Sequence, residues 1–144
     1  MGGLTEEKAI DIMATRVRKC YSYATIECPL LIETSSGMGG EILCSPQQLA
    51  DFYDQVIGTP NALVKICVDT CHVFAAGYDP IYYIAELAKR RIPIGLIHFN
   101  DSKEDKGSRK DRHAAIGDGR VGYRPLIRVL NWALENNVDC VREY

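Results

Sequence analysis

Every histidine in this 144-residue chain lies within three residues of an aspartate. His72 ends the run Cys67-Val-Asp69-Thr-Cys-His72. His98 sits in Ile94-Gly-Leu-Ile-His98-Phe-Asn-Asp101, and His113 ends Lys110-Asp111-Arg-His113. A single histidine is most simply a hydrogen-bonded polar side chain. Three of them, each at the end of an apolar run or in the loop beyond it and each beside a carboxylate, carry a different implication. Imidazole nitrogen and carboxylate oxygen together are the donor set of a borderline divalent ion such as zinc. The sequence reads as a metal centre.

Ligands of that kind need elements to place them, and the chain has a regular supply. Residues 5–24 read as a helix, with Thr5 as cap, Glu6 and Glu7 in its first turn, and Ile10, Ile12, Met13, Val17 and Tyr21 on its apolar face. Leu30-Leu-Ile32 is a short buried-strand run ending at Glu33. A loop with three glycines follows. Ser45-Pro46-Gln47-Gln48 then starts a second helix as a capping box, which Gly58 and Pro60 close. Val64 to Val68 is a strand ending at Asp69, with His72 expected in the next loop. Asp79-Pro80 caps a helix to about Arg91, and Ile94 to Ile97 is a strand ending at His98. A long polar loop from Asn100 to Gly122 carries Asp111 and His113. A helix from Tyr123 to Asn136 leads to a last strand, Val138 to Val141, with Glu143 just beyond.

Strands alternating with helices predict an α/β fold with a parallel sheet and right-handed crossovers. Glu33, Asp69, His98 and Glu143 all fall at carboxyl ends of strands, the catalytic face of a (β/α) barrel. Gly37-Met-Gly39-Gly40 lacks the spacing of a dinucleotide-binding turn, and no phosphate-loop lysine follows it. Four strands cannot close an eight-stranded barrel, which usually takes ~250 residues. The expectation is a single partial domain over residues 1–144 with about the last four strands of such a barrel. Its open edges call for a missing N-terminal half or for self-association.

Composition narrows the function classes. Charged residues at 25% and apolar residues at 47% suit a soluble globular domain. No apolar run reaches membrane-helix length and no basic-apolar leader stands before the first helix, so an intracellular protein of cytoplasm or nucleus is expected. The six cysteines form no small-domain framework and read as reduced thiols. A net charge of −2 gives no global nucleic-acid signature.

Four motifs together resemble the endonuclease IV family, zinc-dependent apurinic/apyrimidinic endonucleases with a TIM-barrel fold. They are Leu31-Ile-Glu33-Thr-Ser-Ser-Gly37-Met-Gly39, Cys67-Val-Asp69-Thr-Cys-His72 through Gly77-Tyr-Asp79, His98-Phe-Asn100-Asp101-Ser102-Lys103, and Gly107 to Gly119 with Asp111-Arg-His113. They occur in the family's order over nearly the whole chain. The resemblance implies that Glu33 bridges two zinc ions and orients the attacking hydroxide. It implies that Asp69, His98 and Glu143 bind the second zinc, and that His72, Asp111 and His113 bind the third. The family's other zinc takes two histidines from the first half of the barrel, so about two zinc ions are expected from the ligands here. Manganese is the alternative metal. The implied reaction is hydrolysis of the phosphodiester on the 5′ side of an abasic site in DNA, leaving a 3′ hydroxyl.

The stretch from Lys103 to Arg112 holds five basic residues against Glu104, Asp105 and Asp111. Charge alone would also suit a solvated loop, but its place beside Asp111 and His113 suggests contact with the phosphate backbone through Arg109, Lys110 and Lys103. Asn100, Asp101, Ser102 and Lys103 are expected to orient His98. Phe52, Tyr53, Tyr82, Tyr83 and Trp132 have helical spacing and are expected in the core. Two rival functions use the same residue types: a sugar isomerase or epimerase on a related metal-dependent barrel, and a zinc-binding remnant acting as an interaction module.

Overall fold

The computed structural model describes residues 5–58 and 63–143. Helix α1 (Glu6–Tyr21) begins at Thr5, whose hydroxyl accepts from the Lys8 amide. It stops at Ser22 rather than Ala24, because the chain folds back there with the Thr25 amide donating to the Cys28 carbonyl. Strand β1 (Leu30–Glu33) follows, then α2 (Pro46–Val56), where the capping box of Ser45 and Gln48 forms as the sequence requires. Gly58 takes a left-handed φ just past this helix, while Pro60 lies outside the described residues. Strand β2 (Val64–Asp69) runs directly into a short helix, α3 (Thr70–Ala75). After it come α4 (Pro80–Lys89), capped by Asp79, and β3 (Ile94–His98). The segment expected as plain loop contains a small antiparallel pair, β4 (Asp101–Ser102) and β5 (His113–Ala114). Helix α5 (Tyr123–Asn136) and strand β6 (Asp139–Val141) complete the chain.

The four long-range strands form one parallel sheet in the order β1-β2-β3-β6. Each connection between neighbours carries helix, as parallel pairing demands. The architecture is a partial (β/α) barrel. Alternation along each strand sorts its residues between two faces. Ile32, Val64, Ile66, Val68 and Ile97 turn toward the helices and are buried with Leu49, Phe52, Tyr53, Tyr83, Ile84, Leu87 and Val129. Burying each of these large side chains contributes roughly 1.5–3 kcal/mol. Tyr82, expected in the core, is instead half exposed, since α4 turns Tyr83 inward and only one of two adjacent helical residues can face the sheet. On α1, Ala14 and Val17 are buried, whereas Ile12 and Tyr21 stay exposed.

The other face carries Leu31 and Glu33, Cys67 and Asp69, and Leu96 and His98. Their alignment depends on a register shift between β2 and β3. Ile66 pairs with Ile94, but Cys67 pairs with Leu96 and Asp69 with His98, so Gly95 is the extra residue of a bulge. A Cβ on Gly95 would sit 2.7 Å from the Lys65 Cδ and 3.1 Å from Leu31. Glycine there lets three strands close together while His98 comes level with Asp69. Among the described residues, no helix is long and apolar enough to cross a membrane.

Candidate metal centre

The carboxyl ends of the strands gather Glu33, Asp69, His98 and Glu143, whose donor atoms all lie within 4.8 Å of one another. His98 Nδ1 stands 3.0 Å from Glu33 Oε1, 3.2 Å from Glu143 Oε2 and 3.9 Å from Asp69 Oδ2. A second group, His72, Asp111 and His113, meets the same distance limit. The two oxygens of Asp111 divide between the rings: Oδ2 is 3.2 Å from His72 Nε2 and Oδ1 is 3.1 Å from His113 Nε2. Asp69 joins the groups, because its Oδ2 is also 3.5 Å from His113 Nε2.

Local structure explains how each side chain is aimed. Asp69 ends β2 and caps α3, its Oδ1 accepting from the Cys71 and His72 amides at 2.7 and 2.9 Å. His72 therefore lies in the first turns of a helix rather than in a loop. The difference arises because an aspartate at a strand end, followed by residues with free amides, is itself a helix start. The Thr34 carbonyl lies 3.0 Å from His72 Nδ1. A carbonyl can only accept, so Nδ1 carries a proton, and Nε2, 3.2 Å from Asp111 Oδ2, is the nitrogen left to bind a metal in exchange for its own proton. His113 is set by the β4–β5 pair, in which it faces Ser102.

The electrostatics call for cations. Among the described residues, every ion pair of Glu33, Asp69, Asp111 and Glu143 is to a histidine. Four carboxylates facing three imidazoles leave an excess of negative charge in a partly buried space. Burial works against charge on His72, but Asp69, Asp111, the Thr34 carbonyl and Glu33 outweigh it and hold its pKa above the ordinary value. His113 Nε2 is buried with no hydrogen-bond partner, an orphaned lone-pair or N–H position aimed between carboxylates. These donors fit a divalent metal. Asp69, Cys71 and His113 also meet within the same limit. Burial pushes the Cys71 thiol up to about 11 and the Cys67 thiol up to about 12, so both are neutral thiols in the absence of metal and make poorer ligands than His72 and Asp111. All six cysteines are free.

Comparison with known proteins fits this geometry. Residues 1–133 match the family described as xylose isomerase-like TIM barrel. The chain belongs to this family. The curated relatives it matches carry the name probable endonuclease 4. It is 40% identical over 108 residues to a protein of Exiguobacterium sibiricum named probable endonuclease 4, covering 71% of this chain and 36% of that protein. It is 33% identical over 141 residues to a probable endonuclease 4 of Mycoplasmopsis pulmonis, covering 94% of this chain and 50% of that one. Among solved structures, endonuclease IV from Thermus thermophilus superposes with a TM-score of 0.74 at 26% identity, covering 99% of this chain and 52% of that chain. The chain thus spans about half the length of such family members, or less. The endonuclease IV resemblance read from the motifs and the partial-barrel fold class both stand.

The basic residues of the Lys103–Arg112 stretch lie near the centre in different ways. Arg109 takes a left-handed φ and donates its amide to the Ala75 carbonyl. Its stem packs against Gly37, and it lines a cavity of about 700 Å³ with Gly39, Gly40, Glu41 and Cys44. Lys110 is exposed and 3.7 Å from Glu104. Lys103 is exposed, with its amide on the Arg112 carbonyl.

The residues after His98 do not act on it as expected. Asn100 reaches Asp69 and Glu143, and Asp101 reaches the loop 117–122. Asn100 falls on the His98 side of the extended chain but bonds to Asp69 rather than to the ring, and Asp101, one residue on, points the other way. Thr34, which accepts from the Asp69 amide at 3.0 Å and holds His72, is a residue the motif reading passes over. Only its adjacency to Glu33 could signal it.

Proposed function

We propose that this chain supplies the last four strands of a zinc-dependent apurinic/apyrimidinic endonuclease, which hydrolyses the DNA phosphodiester 5′ to an abasic site. The observation that carries the reading is the convergence of two His/carboxylate groups at the strand ends of a barrel whose relatives are named endonuclease 4. Glu33, Asp69, His98 and Glu143 would hold one zinc, and His72, Asp111 and His113 another. Zinc bound there would lower the pKa of water and neutralise charge on phosphate oxygens.

The chain's own residues do the rest. Glu33 has the most exposed carboxylate of the strand-end group, with 42% of its side chain accessible. It is placed to orient an attacking water and accept its proton. Thr34 holds the His72 tautomer that leaves Nε2 free. Lys110, itself exposed, releases its half-buried partner Glu104 at little cost to meet a phosphate, and Lys103 and Arg109 add positive charge along the same loop. The sheet keeps β1 and β6 as its outer strands among the described residues. A second half-barrel, carrying the family's remaining histidine ligands, would cover them.

Elemental analysis of the purified chain, with cleavage of a duplex containing one abasic site, tests the proposal. About two zinc ions per chain are expected, with weak cleavage alone and strong cleavage when an N-terminal half-barrel is added. Strong cleavage by the 144-residue chain alone would refute the dependence on a second half. Zinc binding with ketose isomerisation and no cleavage in any combination would favour the isomerase reading instead.

A further inference from the structure

We propose that Asn100 and Asp101, adjacent at the end of β3, are positioning residues that fix the two ligand groups separately. Asn100 sets the strand-end group and Asp101 sets the histidine hairpin. The metal arm of this inference rests on the proposed zinc centre, whereas the hydrogen-bond arm does not.

Asn100 is 1% exposed. Its Nδ2 donates to Asp69 Oδ2 at 2.8 Å and its Oδ1 accepts from the Glu143 amide at 3.1 Å. One side chain just past β3 thereby ties the ligand-bearing ends of β2 and β6 to a common point. An amide is the group that can donate to a carboxylate on one side and accept from a peptide N–H on the other. The Asn100 backbone is itself held by Thr70 Oγ1, which accepts from its amide and donates to its carbonyl.

Asp101 points the other way, as the next residue along an extended chain must. It is fully buried with no cation beside it among the described ion pairs. Instead, five main-chain amides donate to it: Ser102, Val121 and Gly122 to Oδ1, and Gly117 and Gly119 to Oδ2. Such charge-assisted bonds satisfy a carboxylate without a salt bridge. They gather residues 117–122 against the β4–β5 pair that places His113 opposite Ser102. A Cβ on Gly119 would lie 2.3 Å from Asp101 Oδ1 and 2.6 Å from the Ser102 carbonyl, so the loop reaches this carboxylate only with glycine there.

Amide hydrogen exchange on the metal-free chain, followed by zinc titration, tests the division. Asp101→Asn should speed exchange at Gly117, Gly119 and Val121 by roughly tenfold or more, the loss of about one charge-assisted bond, and leave the Glu143 amide unchanged. Asn100→Ala should do the reverse. Asn100→Asp, which keeps an acceptor for Glu143 but sets a second carboxylate on Asp69, should retain protection at Glu143 and still weaken zinc binding. In the zinc arm, Asp101→Asn should lose the same ion as His113→Ala, so that combining the two costs no further zinc. Adding His98→Ala to Asp101→Asn should remove the rest. If Asp101→Asn does not fold, Gly119→Ala, which displaces the same carboxylate, is expected to give the same pattern in milder form.

A variant with a native circular dichroism spectrum that accelerates both sets of amides alike, or sheds both ions together, would overturn the proposal. A wild-type chain that takes up no zinc but shows the divided exchange pattern would sink the metal reading and support the positioning one.

Discussion

The two halves of the centre are built by different means. Glu33, Asp69, His98 and Glu143 stand at or just beyond the ends of parallel strands, so the register of the sheet sets their spacing. His72, Asp111 and His113 come from a short helix and from a loop folded into a two-residue hairpin. The first arrangement is held by a continuous ladder over a packed core. The second is held by side chains accepting from main-chain amides, Asp69 at the start of α3 and Asp101 inside the loop. A ligand on a strand end inherits the stiffness of the sheet, while a ligand on a loop is only as fixed as the polar groups beneath it. The two halves should therefore fail separately.

The largest expected effect comes from His113→Ala. It removes one of three protein donors from the loop-built half and leaves the strand-end half intact. Zinc affinity at that half should fall by more than the roughly 10–100-fold typical of losing a group that merely supports a ligand. One ion per chain should disappear on elemental analysis, and cleavage by a complete enzyme should collapse with it. Wild-type zinc content in this variant would break the assignment of Asp111 and His113.

Gly95→Ala attacks the other half. The added methyl must displace Lys65 or Leu31 within the sheet. A loss of about 1–3 kcal/mol is expected from overpacking, measurable by urea unfolding. Zinc binding by the strand-end group should weaken while the His72, Asp111 and His113 group keeps its ion. Equal weakening at both groups would mean that the sheet controls the hairpin as well.

The smallest effect is one of pH and belongs to the loop-built half. The pKa of His72 in the folded, metal-free chain is raised above 6.5 by its carboxylate neighbours. Its contribution to metal-free stability is thus complete below that value and is lost as pH rises through the folded pKa. Zinc must displace the same proton, so uptake should release a proton near neutral pH and affinity should fall as pH drops through that raised pKa. Calorimetry in buffers of different ionisation enthalpy measures the release. Uptake without proton release would place the ion away from His72.

Much of the fold is legible in the sequence because its signals are local. Capping boxes, proline at first helical positions and apolar runs ending in Glu33, Asp69 and His98 mark elements without reference to distant parts of the chain. The helices at Pro46 and Pro80 begin where those signals stand. Tyr82 and Tyr83 are not separable in this way, since helical spacing alone leaves the orientation of a helix on its sheet undetermined. His72 reads as a loop residue because a strand running straight into a helix leaves no turn residue to mark the change. The pairing of Asp101 with Ala114 and of Ser102 with His113 crosses a stretch of polar residues with no periodicity to announce it.

The sequence by itself determined the α/β order, the donor types and their positions near strand ends, because side-chain chemistry and hydrophobic period are properties of short segments. Only the tertiary structure decided that Gly95 is a bulge bringing His98 level with Asp69, and that the acid beside His98 in sequence instead organises the loop bearing His113. Those outcomes depend on which backbone amides and neighbouring strands meet once the sheet has formed, and no short segment contains both partners.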